Sequence, residues 1–362
     1  MTRVLMTLDA VGGVWRYALD LGRGLRERGD EVVFAGFGPA PSPAQRAEAE
    51  AVGVLDWGRA PLEWMVPDAA GLADVPREIA DMARRHRAEL LHLNLPGQAA
   101  GLDLDLPIVA VSHSCVATWF RAVRGSALPP DWAWQARLAQ AGFDAADAVI
   151  APSRAHADAL TACYGPIDRL QVVHNASAAP AIRLPQRPIV AAAGRWWDEG
   201  KDAATLDLAA AETRWPVHMA GPTRGDNGAQ VALRHATTLG SLPHADTLAL
   251  VQGAGIFVSP SIYEPFGLAV AEAARAAVPL VLSDIPTYRE LWDGAALFFA
   301  PRDAAALAAA VNRLIDDPAL RARMGQAAQD WAARYSLAAQ VQAMAAIHDR
   351  LRAQHAAGAE VH

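Results

Sequence analysis

Two glutamates, two cations and one histidine in this chain have the types and settings for chemistry on a phosphorylated, hydroxyl-rich ligand. Glu264 and Glu272 stand in the stretch 255–274, GIFVSPSIYEPFGLAVAEAA, with seven residues between them. Ile256, Phe257 and Val258 read as a short buried strand, residues 259–263 as the loop leaving it, and Gly267 onward as a helix without a breaker. The N–H groups that open a helix lack intrahelical partners. Those of Phe266, Gly267 and Leu268 therefore form an anion cradle, flanked by two carboxylates that can accept sugar or ribose hydroxyls. The plainer reading is a strand, loop and helix with two solvated glutamates. Arg195 and Lys201 share a second strand-to-helix loop. Arg brings a planar fork to phosphate oxygens and Lys a point charge, or both are ordinary surface cations. His113 follows the predicted strand 107–112, at the carboxyl end where open parallel sheets bind ligands. A lone histidine in such a place also serves structure alone.

These groups need a scaffold, and the hydrophobic pattern supplies one. Residues 4–8 predict a first strand, leading through Gly12 and Gly13 into a helix over 14–28. There Val14, Ala18, Leu21 and Leu25 recur at the helical period. The glycines admit a phosphate-bearing ligand or simply a tight turn. A GxGxxG fingerprint is missing, which counts against nicotinamide binding. Further strands are predicted at 31–35, 89–93, 147–151 and 170–173, with Ser153 capping a helix. Residues 177–187, with two prolines and no period, read as an interdomain linker. A second series of strands and helices starts at 189–193 and ends in a helix over 331–351, broken near Tyr335 and Ser336. The tryptophan-bearing stretches 57–72 and 119–134 read as packing or as a ligand face. Asp103 and Asp105 precede a strand instead of ending one and read as a connecting turn, not a metal site.

Glu264-Pro265-Phe266-Gly267-Leu268 followed by Glu272-Ala273 resembles the signature of retaining GT-B glycosyltransferases, in particular glycosyltransferase family four (glycosyl transferases group 1). The resemblance implies that Glu264 lies near the donor sugar and that Glu272 binds the nucleotide ribose. The Arg195 and Lys201 loop is similar to the family's diphosphate clamp, the glycine loop would bring Gly13 to the same diphosphate, and His113 would lie near the sugar. In two places the chain departs from the pattern. Asp202 stands where the family usually has Gly or Asn, and Ala176 replaces the glycine of the usual Asn-Gly at Asn175.

Bulk properties narrow the field. At 362 residues the chain suits two domains, and 52% hydrophobic with 20% charged residues marks it as globular. A formal charge of −7 argues against a nucleic-acid partner. Cys115 and Cys163 make no disulfide framework and suit a reducing cytoplasm. The N-terminal apolar run is too short for a signal peptide, and no stretch is long enough to span a membrane. Peripheral membrane contact stays open.

The expectation is therefore an α/β chain of GT-B type, two doubly wound Rossmann-like domains facing across a cleft. Residues 1–180 would form the acceptor-side domain, 181–334 the nucleotide-sugar domain, and 335–362 a helix returning to the first. The resemblance implies a retaining hexosyltransferase that moves a sugar from a nucleotide-sugar donor to a hydroxyl acceptor, as in polysaccharide biosynthesis. No cofactor or metal is implied, since Arg195, Lys201 and the helix start can neutralise the leaving diphosphate. A sugar phosphorylase, a nucleotide-sugar epimerase and a non-catalytic nucleotide binder are the alternatives. The base, the sugar, the acceptor and the oligomeric state are not written in these residues.

Overall fold

A computed structural model of the chain describes residues 1–225 and 227–359; residues 360–362 of the expected returning segment lie outside it. The chain divides into two compact units, one of residues 1–121, 126–175 and 337–359, the other of 122–125 and 176–336. Each is built on one parallel sheet.

The first sheet holds β1 (Arg3–Leu8), β2 (Glu31–Gly36), β3 (Val54–Trp57), β4 (Leu90–Leu93), β5 (Ile108–Val111), β6 (Ala148–Ala151) and β7 (Leu170–Val172), in the order β3-β2-β1-β4-β5-β6-β7. Its strands are apolar on both faces because helices cover both. Along β1, Val4, Met6 and Leu8 enter one core and Leu5 the other, which is the period-two alternation of a pleated strand. The winding direction reverses between β1 and β4, so the loops leaving these strands splay apart and leave a crevice at their carboxyl ends.

The last helix, Leu337–Ala359, belongs to this unit. Met344, Ile347 and Leu351 complete the core around Val4 and Met6. Arg28 grips both oxygens of Asp349 at 2.8 Å. The helix lies against Gly13–Glu27 so closely that a Cβ on Gly24 falls inside the Val341 side chain.

The second sheet holds β8 (Arg187–Ala193), β9 (Val217–Ala220), β10 (Thr237–Gly240), β11 (Ala254–Ser259), β12 (Leu280–Ser283) and β13 (Ala296–Phe299), in the order β10-β9-β8-β11-β12-β13. Ile256 and Val258 face one core and Phe257 the other. Here the winding reverses between β8 and β11.

Two elements escape the sequence pattern. Ser42 and Gln45 form a capping box that starts the helix Pro43–Glu50. β3 follows it as a short edge strand whose Val54 is 53% exposed, so it carries no buried run to recognise. In the stretch 57–72, Leu62 and Leu72 are buried and Trp57 stacks on Gly36, whereas Trp64 and Met65 are exposed. The stretch 119–134 contributes to the helices Val116–Arg124 and Ala133–Ala145. The expected break at Tyr335 and Ser336 separates the helices Pro318–Ala332 and Leu337–Ala359.

Because Val341 is β-branched and stiff, Gly24→Ala should cost about 1–3 kcal/mol in denaturant unfolding. Adding Val341→Ala should restore part of the loss, and a double variant no better than Gly24→Ala would refute this close approach.

Candidate active site

The loops leaving β8 and β11, on either side of the reversal in the second sheet, gather most of the expected site residues. Trp196 anchors the first loop: it is buried, and its indole Nε1 donates to the Ala220 carbonyl at 2.8 Å. Asp198 accepts from the Gly200 N–H at 2.9 Å and so caps the short turn Glu199–Lys201. The Gly200 carbonyl then takes the N–H groups of Ile262 and Tyr263, at 2.9 and 3.2 Å, from the second loop. This ties the two loops together by backbone alone.

Lys201 Nζ donates to Glu264 Oε2 across that junction. Both side chains are largely buried, 18% and 16% exposed, so the pair is screened less than a surface pair. The expected diphosphate cation and the expected sugar-side carboxylate are thus each other's partners in this structure. Arg195 is placed differently. Its side chain is 42% exposed, its Nη2 is 3.9 Å from Asp198 Oδ2, and its Nε is buried without a hydrogen bond. The guanidinium carbon lies 5.9 Å from the centre of the Trp197 ring.

Glu264, Gly267 and Tyr288 form a packed corner. Tyr288 is fully buried and its hydroxyl meets Ser259 Oγ at 2.5 Å. Gly267 has φ +91, a left-handed conformation that a residue without Cβ adopts freely, and caps the helix Leu268–Arg275. The helix therefore opens one residue later than the sequence suggests. The Phe266 side chain is core, edge-on to Tyr335 at 5.7 Å, and Phe266 itself stands before the N-cap Gly267. Glu272 lies within the same helix, 5% exposed, and accepts from Ser177 Oγ at 3.3 Å, with His244 Nε2 at 3.9 Å. Ser177 and His244 were not foreseen; Ser177 sits in the stretch that reads as a linker.

Asp202 has φ +49 and ψ +50. The departure at this position is thus a backbone matter, because Gly and Asn suit the left-handed region and Asp tolerates it less readily than Gly. Its Oδ2 is buried and unpaired, and burial raises its pKa. Ala176 carries no such strain, since its φ is not positive, and neighbouring Asn175 is buried.

In the first unit Gly13 opens its helix at the carboxyl end of β1 and is exposed. His113, one residue beyond Ser112 at the end of β5, is partly buried. Its Nε2 meets Asn94 Oδ1 at 2.8 Å, and its ring packs edge to face on Tyr17 with centroids 4.3 Å apart. Behind it the Tyr17 hydroxyl lies 3.3 Å from His92 Nε2, and His92 Nδ1 lies 3.2 Å from His348 Nε2. His156 Nε2 meets Ser112 Oγ at 3.0 Å. Sequence alone missed Asn94 and Thr7 as parts of this cluster. The signal was a polar residue at the carboxyl end of each of two adjacent apolar strands.

A model of Glycosyltransferase Family 4 matches residues 11–176, and one of Glycosyl transferases group 1 matches residues 229–331. The chain is a family-four GT-B glycosyltransferase. The signature residues Glu264 to Ala273 fall inside the second match, whereas Arg195 and Lys201 lie between the two. This transferase is 27% identical to a glycogen synthase of Mycobacterium tuberculosis, over 91% of both chains. It is 33% identical to an alpha-D-kanosaminyltransferase of Streptomyces kanamyceticus, over 46% of each. Its fold is that of sucrose-phosphate synthase from Thermosynechococcus elongatus, with TM-score 0.80 at 18% identity over 98% of this chain and 100% of the other. The Anabaena protein Alr3699/HepE in complex with UDP-glucose gives TM-score 0.76 at 17% identity, over 97% and 100%. Among the described residues of the glycosyltransferase no helix is long and apolar enough to cross a membrane.

The histidines of the first unit make the fold acid-sensitive. Burial, with His156 nearby, holds His113 at about 3, and burial holds His156 and His348 at about 4 and drives His92 well below its ordinary value. The unfolded chain therefore binds more protons from about pH 6.5 downward. Stability is full above that pH and is lost as pH falls toward these folded values. Urea unfolding from pH 7.5 to 4.5 should show midpoints falling below about pH 6.5, and level midpoints would contradict the assignment.

Proposed function

We propose that this glycosyltransferase moves a sugar from a nucleotide-sugar donor to a hydroxyl of a glycan acceptor, with retention at the anomeric carbon, in the cytoplasm and without a bound metal. The observation that carries the reading is the junction of the β8 and β11 loops. It sets Arg195, the Lys201–Glu264 pair and the helix start after Gly267 at one sheet reversal, with Glu272 buried in the same helix. The likeness to an Alr3699/HepE structure holding UDP-glucose supports such a donor, and the glycogen synthase relative supports a glycan acceptor.

In the transfer, the bond from the anomeric carbon to the diphosphate oxygen breaks and a bond to the acceptor oxygen forms, while the acceptor proton is released. Negative charge collects on the departing diphosphate. Groups aimed at that charge lower the barrier more than they strengthen donor binding. Arg195 suits this role because its fork is only loosely engaged by Asp198. The N–H groups of Gly267 and Leu268 add the positive end of a helix. Lys201 holds Glu264 in place through their direct contact, and Glu264 then accepts a sugar hydroxyl. Glu272 has the setting for the paired ribose hydroxyls.

Incubation with UDP-, GDP- and ADP-glucose and a glucan acceptor, in excess chelator, should give turnover with one donor. NMR of the product should show the donor's anomeric configuration. Inverted product would overturn retention, and turnover that stops in chelator and returns with magnesium would overturn metal independence.

Arg195→Ala should lower kcat by about a hundredfold or more with a smaller change in donor affinity. Arg195→Lys keeps charge without the fork and should recover only part. An unchanged rate in a variant that melts like the parent would remove Arg195 from the mechanism.

A further inference from the structure

We propose that Asn94 is a positioning residue that fixes the tautomer of His113, so that Nε2 carries the hydrogen and Nδ1 is left as a hydrogen-bond acceptor for a ligand hydroxyl. The assignment follows from donors and acceptors alone. Asn94 sits at the carboxyl end of β4, 1% exposed, and its side-chain nitrogen is 2.6 Å from the Thr7 carbonyl. A carbonyl only accepts, so the atom facing it is the NH₂ group. The other end of the amide is then an oxygen, and it faces His113 Nε2 at 2.8 Å. That oxygen also only accepts, so Nε2 must donate.

The Asn94 backbone is held as well. Its N–H donates to Thr7 Oγ1 at 2.8 Å, and that hydroxyl donates to Gln98 Oε1 at 2.7 Å. Thr7 thus engages both the backbone N–H and the side-chain amide of Asn94. A neutral imidazole with hydrogen on Nε2 has a lone pair on Nδ1. The groups around it act in the same direction: Tyr17 presents its ring, and His92 and His156 are themselves buried and neutral. His113 accordingly does not serve as an acid near neutral pH. It reads hydroxyl groups, and it does so in one orientation set from β1 and β4.

The consequence for the ligand is chemical selectivity. An acceptor nitrogen favours a hydroxyl or ammonium hydrogen and disfavours a carbonyl or an ether oxygen at the same place. The inference rests on the transferase reading for its ligand but not for its central observable, which is the tautomer itself.

The direct test is long-range ¹H–¹⁵N NMR of His113 in the full chain, which reads the protonated nitrogen without any turnover. The expected spectrum of the parent has hydrogen on Nε2; hydrogen on Nδ1 overturns the proposal. Asn94→Ala should give mixed tautomers and lower kcat by about ten- to hundredfold, as loss of an orienting partner does elsewhere. Asn94→Asp puts a carboxylate against Nε2–H, so His113 should titrate nearer neutrality and a new acid limb should appear in the pH profile of kcat. A parent-like tautomer and profile in both variants, with melting unchanged, overturns the proposal. If every variant and the parent lack transferase activity while the NMR result stands, the functional reading fails and the tautomer lock survives.

Discussion

The carbonyl of Gly200 receives two backbone N–H groups from residues 262 and 263, and the rest of the candidate site depends on this junction. Main-chain bonds of this kind hold whatever side chains surround them, so the register of one loop against the other is set before any ligand arrives. Lys201 and Glu264 then meet as a consequence of that register. Asp198 has a double part, since it shapes the turn through Gly200 and lies near Arg195 without holding it tightly. The arrangement separates rigidity, which the backbone provides, from charge, which Arg195 keeps available.

The first unit shows the same division at the ends of β1, β4 and β5. Thr7 and Asn94 are buried polar residues at the carboxyl ends of adjacent strands, and each is bonded through both backbone and side chain. Buried polar groups persist only when their hydrogen bonds are met. Here the partners of each are the other functional neighbours, so satisfying the core and orienting His113 are one operation.

Much of this was legible in the chain. The strands that carry Arg195 and His113 announce themselves by short apolar runs, and the motif from Glu264 to Glu272 places two carboxylates beside a helix start. What was hidden depends on distance along the chain or on backbone angle. Ser177 meets Glu272 from 95 residues away, and Asn94 meets Thr7 from 87. Asp202 stands out in the sequence only as a replacement for the usual Gly or Asn, whereas its left-handed φ makes it a matter of backbone conformation. The edge strand Val54–Trp57 went unseen because its exposure breaks the pattern that marks buried strands.

The helix Leu337–Ala359 closes the core of a unit whose other strands precede residue 176. On the ribosome this order has a cost in time. Synthesis runs at about 5–20 residues per second, so all of 176–336 is made while the apolar surface awaiting Met344, Ile347 and Leu351 stays wet. For roughly ten seconds or longer the nascent first unit exposes an apolar groove along the helix Gly13–Glu27, whereas the second unit has its whole sequence once residue 336 is made. The later half of the chain can therefore complete its core first.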